Sequence, residues 1–203
     1  MPTRSETGTP PRVRAAALPP SERRAEIVAA TRPLLLTHGA AITTRQIAEA
    51  AGIAEGTIFR VFPDKDSLLE AVLDDALDTA APDDALAGID PALPLEARLV
   101  AAVDILRRYV ADVLQVRTAL GMMQASPTVT ANAERRRTAH LSAIAAFLEP
   151  HRAELRRDPM EAAHVLRGLT ITGTHPGLIP GEGLASEEIV TLFLDGVRAR
   201  GVR

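Results

Sequence analysis

The segment Ile42-Thr43-Thr44-Arg45-Gln46-Ile47 constrains the fold more than any other stretch of the chain. A threonine ahead of a helix accepts the backbone N–H three residues on, and a glutamine at that third position reaches back to the threonine's own N–H. Ile42 before the cap and Ile47 at the fourth helical position form a hydrophobic staple. A helix therefore starts at Thr44. It continues through Ala48, Ala50 and Ala51 and stops at Gly52, which tolerates a left-handed backbone. After Gly52-Ile53-Ala54 another short helix covers about Glu55 to Phe62, and Pro63 closes it. A short helix, a glycine turn and a second short helix read as a helix-turn-helix.

The rest of the chain reads as helix too. Of 203 residues 46% are hydrophobic but only 2% aromatic, with no Trp, so the core is aliphatic. Alanine and leucine favour helix, and β-branched runs with period-two alternation are hard to find. The fold class expected is all-α: a three-helix helix-turn-helix head and a helical regulatory and dimerisation body, about nine helices in all. The sequence contains no Cys, which excludes disulfides, thiolate metal sites and thiol catalysis. No apolar run approaches the ~18 residues of a membrane span, and the N-terminus lacks an apolar signal core, so a cytoplasmic location is expected. Net charge is −3, but residues 1–62 hold eight Arg against five Glu, and the acidic excess lies beyond them. That asymmetry suits a protein that touches a polyanion with one end.

The expected domains are a disordered arm at 1–20, a helix-turn-helix domain at 21–65 and a helical effector-binding and dimerisation domain at 66–203. Pro10, Pro11, Pro19 and Pro20 bar a continuous helix in the arm. A first helix is expected after Ser21, kinked at Pro33, and ending at Gly39. Asp64 caps a helix at about 65–80, and Pro82, Gly88, Pro91 and Pro94 mark 81–94 as irregular. A long helix follows at about 95–117, then a short helical stretch at 118–126 broken by Pro127, and a helix at about 129–149. Asp158-Pro159-Met160-Glu161 opens a further helix, and Ser186-Glu187-Glu188 opens the last one. That last helix is nearly apolar all round, and a short helix of this kind must be covered on both sides. A partner subunit would supply the second cover, which makes Ile189, Phe193, Leu194 and Val197 candidates for a dimer interface. The small Gly168, Thr172 and Gly196 would let helices approach closely.

The string Ile42-Thr43-x-Arg45-x-Ile47-Ala48-x-x-Ala51-Gly52-Ile53-x-x-Gly56-Thr57-Ile58-Phe59-x-x-Phe62-Pro63-x-Lys65-x-x-Leu68-Leu69 closely resembles the DNA-binding domain of TetR-family repressors over residues 25–70. The resemblance implies a homodimer that binds double-stranded operator DNA, with an effector pocket inside the body. By position, Thr43, Arg45, Thr57 and Lys65 look like phosphate or groove contacts, and Gly56 like a point of close backbone approach. The physics of helix N-termini supports anion contacts at Thr43 and Lys65, although a capping Thr43 and a solvated Lys65 are the plainer readings. Thr44, Gln46, Glu55, Ile58, Phe59 and Arg60 complete the DNA-binding set. Arg45 and Arg60 suit phosphate or guanine, and Gln46 suits adenine if it leaves its cap. Three departures stand out: Ala54 caps the second short helix where the family often has Ser or Thr, and Phe59 and Val61 occupy positions where it often has Tyr and His, so polar groups are missing.

The function expected is a sequence-specific DNA-binding transcriptional regulator, a repressor released by a small, largely apolar effector of unknown identity. The alternative is a helical adaptor of the same fold that has lost DNA binding. The effector pocket is expected among Leu99, Val103, Leu106, Val110, Met122, Met123, Leu141 and Ile144. The five His show no metal-ligand spacing, and Arg135-Arg136-Arg137 point in different directions on a helix. No phosphate loop, nucleophile elbow or paired carboxylates suggest an enzyme, and neither metal nor cofactor is expected.

Overall fold

A computed structural model describes residues 19–179, 181 and 183–198. Among them are nine α-helices: α1 (Pro20–His38), α2 (Thr44–Ala50), α3 (Glu55–Val61), α4 (Lys65–Ala76), α5 (Ala80–Ala87), α6 (Leu95–Leu120), α7 (Pro127–Leu148), α8 (Pro159–Thr174) and α9 (Ser186–Val197). Two 3-10 segments, Gly39–Ala41 and Glu149–Glu154, make corners. The only extended pairing among the described residues is a bridge between Leu155 and Arg198. No described helix is long and apolar enough to cross a membrane.

Local chemistry sets most helix starts. Thr43 and Gln46 form the expected capping box on α2, and Asp64 with Ser67 forms another on α4. Ser126 caps α7, while Asp158 accepts from the N–H groups of Met160 and Glu161 at 2.9 and 3.0 Å. At α9, Glu188 reaches back to the Ala185 N–H at 2.8 Å.

Prolines account for the departures from the sequence expectations, because a helix does not need the N–H groups of its first turn. Pro20 is the first residue of α1, ahead of Ser21, so Pro19 and Pro20 belong to the helix start; residues 1–18 of the expected arm lie outside the described residues. Pro82 is the third residue of α5, in a stretch expected to be irregular. Pro127 begins α7 instead of breaking a shorter helix. Pro33 sits inside α1 without interrupting it. It and Ala29, whose carbonyl loses its partner, are both exposed, so water can take over the bond.

Two apolar clusters organise the chain. One joins Ile27, Val28 and Leu35 of α1, Ile47 of α2, Ile58 of α3, Phe62 and the inward residues of α4 with Val116 and Leu120 of α6. The head's core therefore continues past residue 65 into α4 and the end of α6. The other gathers Leu99, Val103 and Leu106 of α6, Leu141 and Ile144 of α7, Leu166 of α8 and the inward face of α9. At 26 residues α6 is about 39 Å long, enough to belong to both clusters. It is the strut that sets the head against the body. Arg32 of α1 reinforces the seam, pairing with Asp75 of α4 at 3.4 Å and with Asp112 of α6.

Candidate nucleic-acid interface

The turn between α2 and α3 is tight because Gly52 has φ +64° and the Ile53 N–H donates to the Ala48 carbonyl at 3.0 Å. Burial of Ile47, Ile58 and Phe62 then fixes the outward face of α3. Glu55, Gly56, Phe59 and Arg60 are exposed, and Thr57 is half-buried. Phe59 keeps half of its surface exposed although it is large and apolar. Ile58 has no exposed surface; it anchors α3 to the head's core and cannot touch a base edge, which corrects its place among the expected DNA contacts.

A Cβ added to Gly56 would meet no atom within 4 Å. Nothing inside the protein needs a glycine there, although glycine costs about 1 kcal/mol in a helix relative to alanine. Bare backbone facing solvent at the start of α3 is what a close-approaching external partner requires.

The polar residues divide into tied and free. Gln46 is exposed but held in its cap, where its Oε1 accepts from the Thr43 N–H at 2.8 Å and the Thr43 hydroxyl at 2.9 Å. The Thr44 hydroxyl donates to Glu55 Oε1 at 2.5 Å, which links the first turns of α2 and α3. The sequence treats Thr44 and Glu55 as independent contacts; in the fold each holds the other in position. Lys65 is half-buried, and its Nζ donates to the carbonyls of Ala40 and Ile42 at 2.9 and 3.1 Å. It braces the corner that leads into α2. Arg45 and Arg60 are exposed and make no ion pair among the described residues. They are the free positive charges of this surface.

Behind the head, the residues expected to line an effector pocket are dispersed. Leu99, Val103, Leu106, Leu141 and Ile144 are packed inside the body's core, with no more than 6% of any of them exposed. Val110 is half-buried, Met123 packs on the head's cluster, and Met122 is almost wholly exposed. A cavity of about 580 Å³ lies at the seam, lined by Leu36 of α1, Ala111, Leu114, Gln115, Thr118 and Ala119 of α6, and Thr174 and Pro176 at the end of α8. The sequence did not disclose it because the cavity depends on what fails to cover α6, where Val110–Leu114 stay half-exposed in the fold.

The chain itself covers most of the apolar surface of α9. Ile189, Phe193, Leu194 and Val197 are buried by the chain's own α6 and α8. The face of α9 left open carries Leu192, half exposed, and Gly196, and α8 exposes Gly168 and Thr172. Added Cβ atoms at Gly168 and Gly196 would meet nothing within 4 Å.

In the body, the His140 ring bonds Asp83 through Nδ1 and tilts against Tyr109 at 5.5 Å. Burial pushes the Tyr109 phenol above its usual range, and its hydroxyl donates to the Leu77 carbonyl at 3.3 Å. The hydrogen bond to Asp74 raises the Arg136 guanidinium further and ties α7 to α4.

Residues 27–72 match the family model described as bacterial regulatory proteins, tetR family. The head is that of a TetR-family regulator. Solved structures extend the likeness of fold to the body. A putative TetR-family transcriptional regulator from Mesorhizobium loti is 19% identical, covers 90% of this chain and 100% of its own, and superposes with a TM-score of 0.64. A TetR transcriptional regulator from Streptomyces coelicolor is 25% identical, with 88% and 99% covered and a TM-score of 0.54. AibR, solved in complex with isovaleryl coenzyme A and operator DNA, is 15% identical, with 85% and 97% covered and a TM-score of 0.55. The sequence matches no curated protein. The head matches that family's model, and the body shares the fold of solved transcriptional regulators.

Proposed function

We infer that the protein is a repressor that binds a specific operator as a homodimer and leaves it when a small, largely apolar molecule occupies the seam cavity. The observation that carries the reading is the outward face of α2 and α3. There two arginines without an ion pair among the described residues, Arg45 and Arg60, flank an open glycine backbone at Gly56. Phosphate contacts from Arg45 would give affinity, and α3 in the major groove would give sequence preference through Glu55, Thr57 and Arg60. Thr43, Gln46 and Lys65 position α2 at the backbone, and Phe59 offers its ring to a thymine methyl. Paired heads about one helical turn apart, roughly 34–36 Å, would read two half-sites. The open face of α8 and α9 around Gly168, Thr172, Leu192 and Gly196 suits a two-fold contact between helices.

The seam cavity touches both a head helix, through Leu36, and the strut α6. A ligand there would favour one head orientation, and reciprocity requires that DNA weaken ligand binding by the same factor. AibR, of the same fold, binds both operator DNA and an acyl coenzyme A. A cytoplasmic, non-catalytic protein follows from this reading.

Fluorescence anisotropy on duplexes from the region upstream of its own coding sequence tests it. One duplex should outcompete unrelated DNA, with affinity falling steeply as salt rises. Equal, weak affinity for every duplex at low salt would overturn it. The exposed Phe59 ring would then favour the adaptor reading, with α3 as a protein-binding surface.

A further inference from the structure

A second cavity, about 300 Å³, lies between α5, α6 and α7. Its walls are mostly aliphatic or aromatic: Leu86 and Ala87 of α5, and Ala143, Ala146 and Phe147 of α7. Two charged side chains also line it, Arg98 of α6 and Asp83 of α5. Asp83 has a partner in His140. Arg98 has no carboxylate within ion-pair distance among the described residues, although only 6% of it is exposed. A buried guanidinium without an anion is costly.

The partners that Arg98 does have are weak substitutes. Its Nη1 meets His151 Nε2 at 2.6 Å. Because arginine only donates, Nε2 must accept, and Nδ1 donates to Glu154 Oε1 at 2.8 Å. The carboxylate of Glu154 is thus one imidazole away from the charge it could have neutralised. The guanidinium carbon stands 4.6 Å from the centre of the Phe147 ring, which offsets part of the charge but supplies no acceptor. The Arg98 Nε is buried with no partner at all.

We propose that this cavity is a binding site for a small aliphatic monocarboxylate, with the carboxylate on Arg98 and the tail against Leu86, Ala143 and Phe147. A carboxylate on the side of the guanidinium that lines the cavity supplies the anion that Arg98 lacks. At about 30 Å³ per water-sized unit, the space suits about ten heavy atoms or fewer, which excludes a coenzyme A thioester and a long fatty acid. The site is separate from the seam cavity and does not depend on DNA binding. Because α5 follows directly on α4, a ligand bridging α5 to α6 and α7 would stiffen the region next to the head's core.

Titration calorimetry on the full chain without DNA, with hexanoate and hexan-1-ol as probes, tests the proposal. Hexanoate should bind at least about tenfold tighter than the alcohol, the equivalent of one charge-assisted hydrogen bond. Arg98→Met should remove that preference, and Ala143→Leu, which keeps Arg98 but fills the cavity, should weaken hexanoate by a similar factor. Ala111→Phe, which fills the seam cavity, should leave hexanoate binding unchanged. Should Arg98→Met fail to fold, Ala143→Leu decides alone. Equal affinity for acid and alcohol, no binding of hexanoate, or binding untouched by Ala143→Leu would each overturn the proposal; none of these would bear on DNA recognition.

Discussion

Replacing Lys65 with Met separates a structural from an electrostatic role for the sole lysine of the chain. Methionine keeps most of the aliphatic stem's packing but removes both bonds from Nζ to the carbonyls of Ala40 and Ile42. A hydrogen bond to a charged group contributes about 1.5–3 kcal/mol. Here Lys65 and Ala40 are half-exposed, so water regains part of each bond and the expected loss is about 1–3 kcal/mol in total. For a chain of this size that lowers the thermal midpoint by about 2–4 °C per kcal/mol. Arg45→Met is the comparison. Arg45 is exposed with no ion pair among the described residues, so stability should stay within about 0.5 kcal/mol, while the slope of log affinity against log salt should fall by about 1. Thermal unfolding by circular dichroism and operator titrations at several salt concentrations read both effects. Lys65→Met should lose stability as well as affinity; Arg45→Met should lose affinity alone. A Lys65→Met protein as stable as wild type, differing only in salt slope, would refute the bracing role.

Gly56→Ala should raise thermal stability by about 0.5–1 kcal/mol, since the added methyl meets nothing inside the protein, and should still weaken operator binding; unchanged affinity would remove Gly56 from the interface. Leu192→Arg should yield folded monomers by sedimentation velocity, because its side chain is half exposed, whereas Phe193→Arg should unfold the body, because Phe193 has no exposed surface. A folded dimer from Leu192→Arg would move the interface elsewhere. Asp158→Ala, which frees two N–H groups at the start of α8, should cost about 1 kcal/mol, read as a lower urea midpoint.

What the sequence alone determined is whatever rests on residues close together in the chain. The starts of α2, α4 and α8 are of this kind, since each cap is closed by groups two or three positions apart. The turn at Gly52 and the match to the tetR model are equally local, and they disclosed the helix-turn-helix and its family. Tertiary structure decided which face of each helix is covered, because neighbours far away in the chain supply the cover. The apolar girth of α9 was visible, but only the packing of α6 and α8 shows that Phe193 is core and Leu192 is surface. The pocket followed the same rule: an aliphatic stripe reads alike whether a neighbour fills it, as at Val103, or leaves it open, as at Leu114. Lys65 and Arg98 make the point for charge. Their roles are set by carbonyls 23 and 25 residues away and by a histidine 53 residues away, and the energy of a charge depends on its surroundings in space rather than its position in the chain.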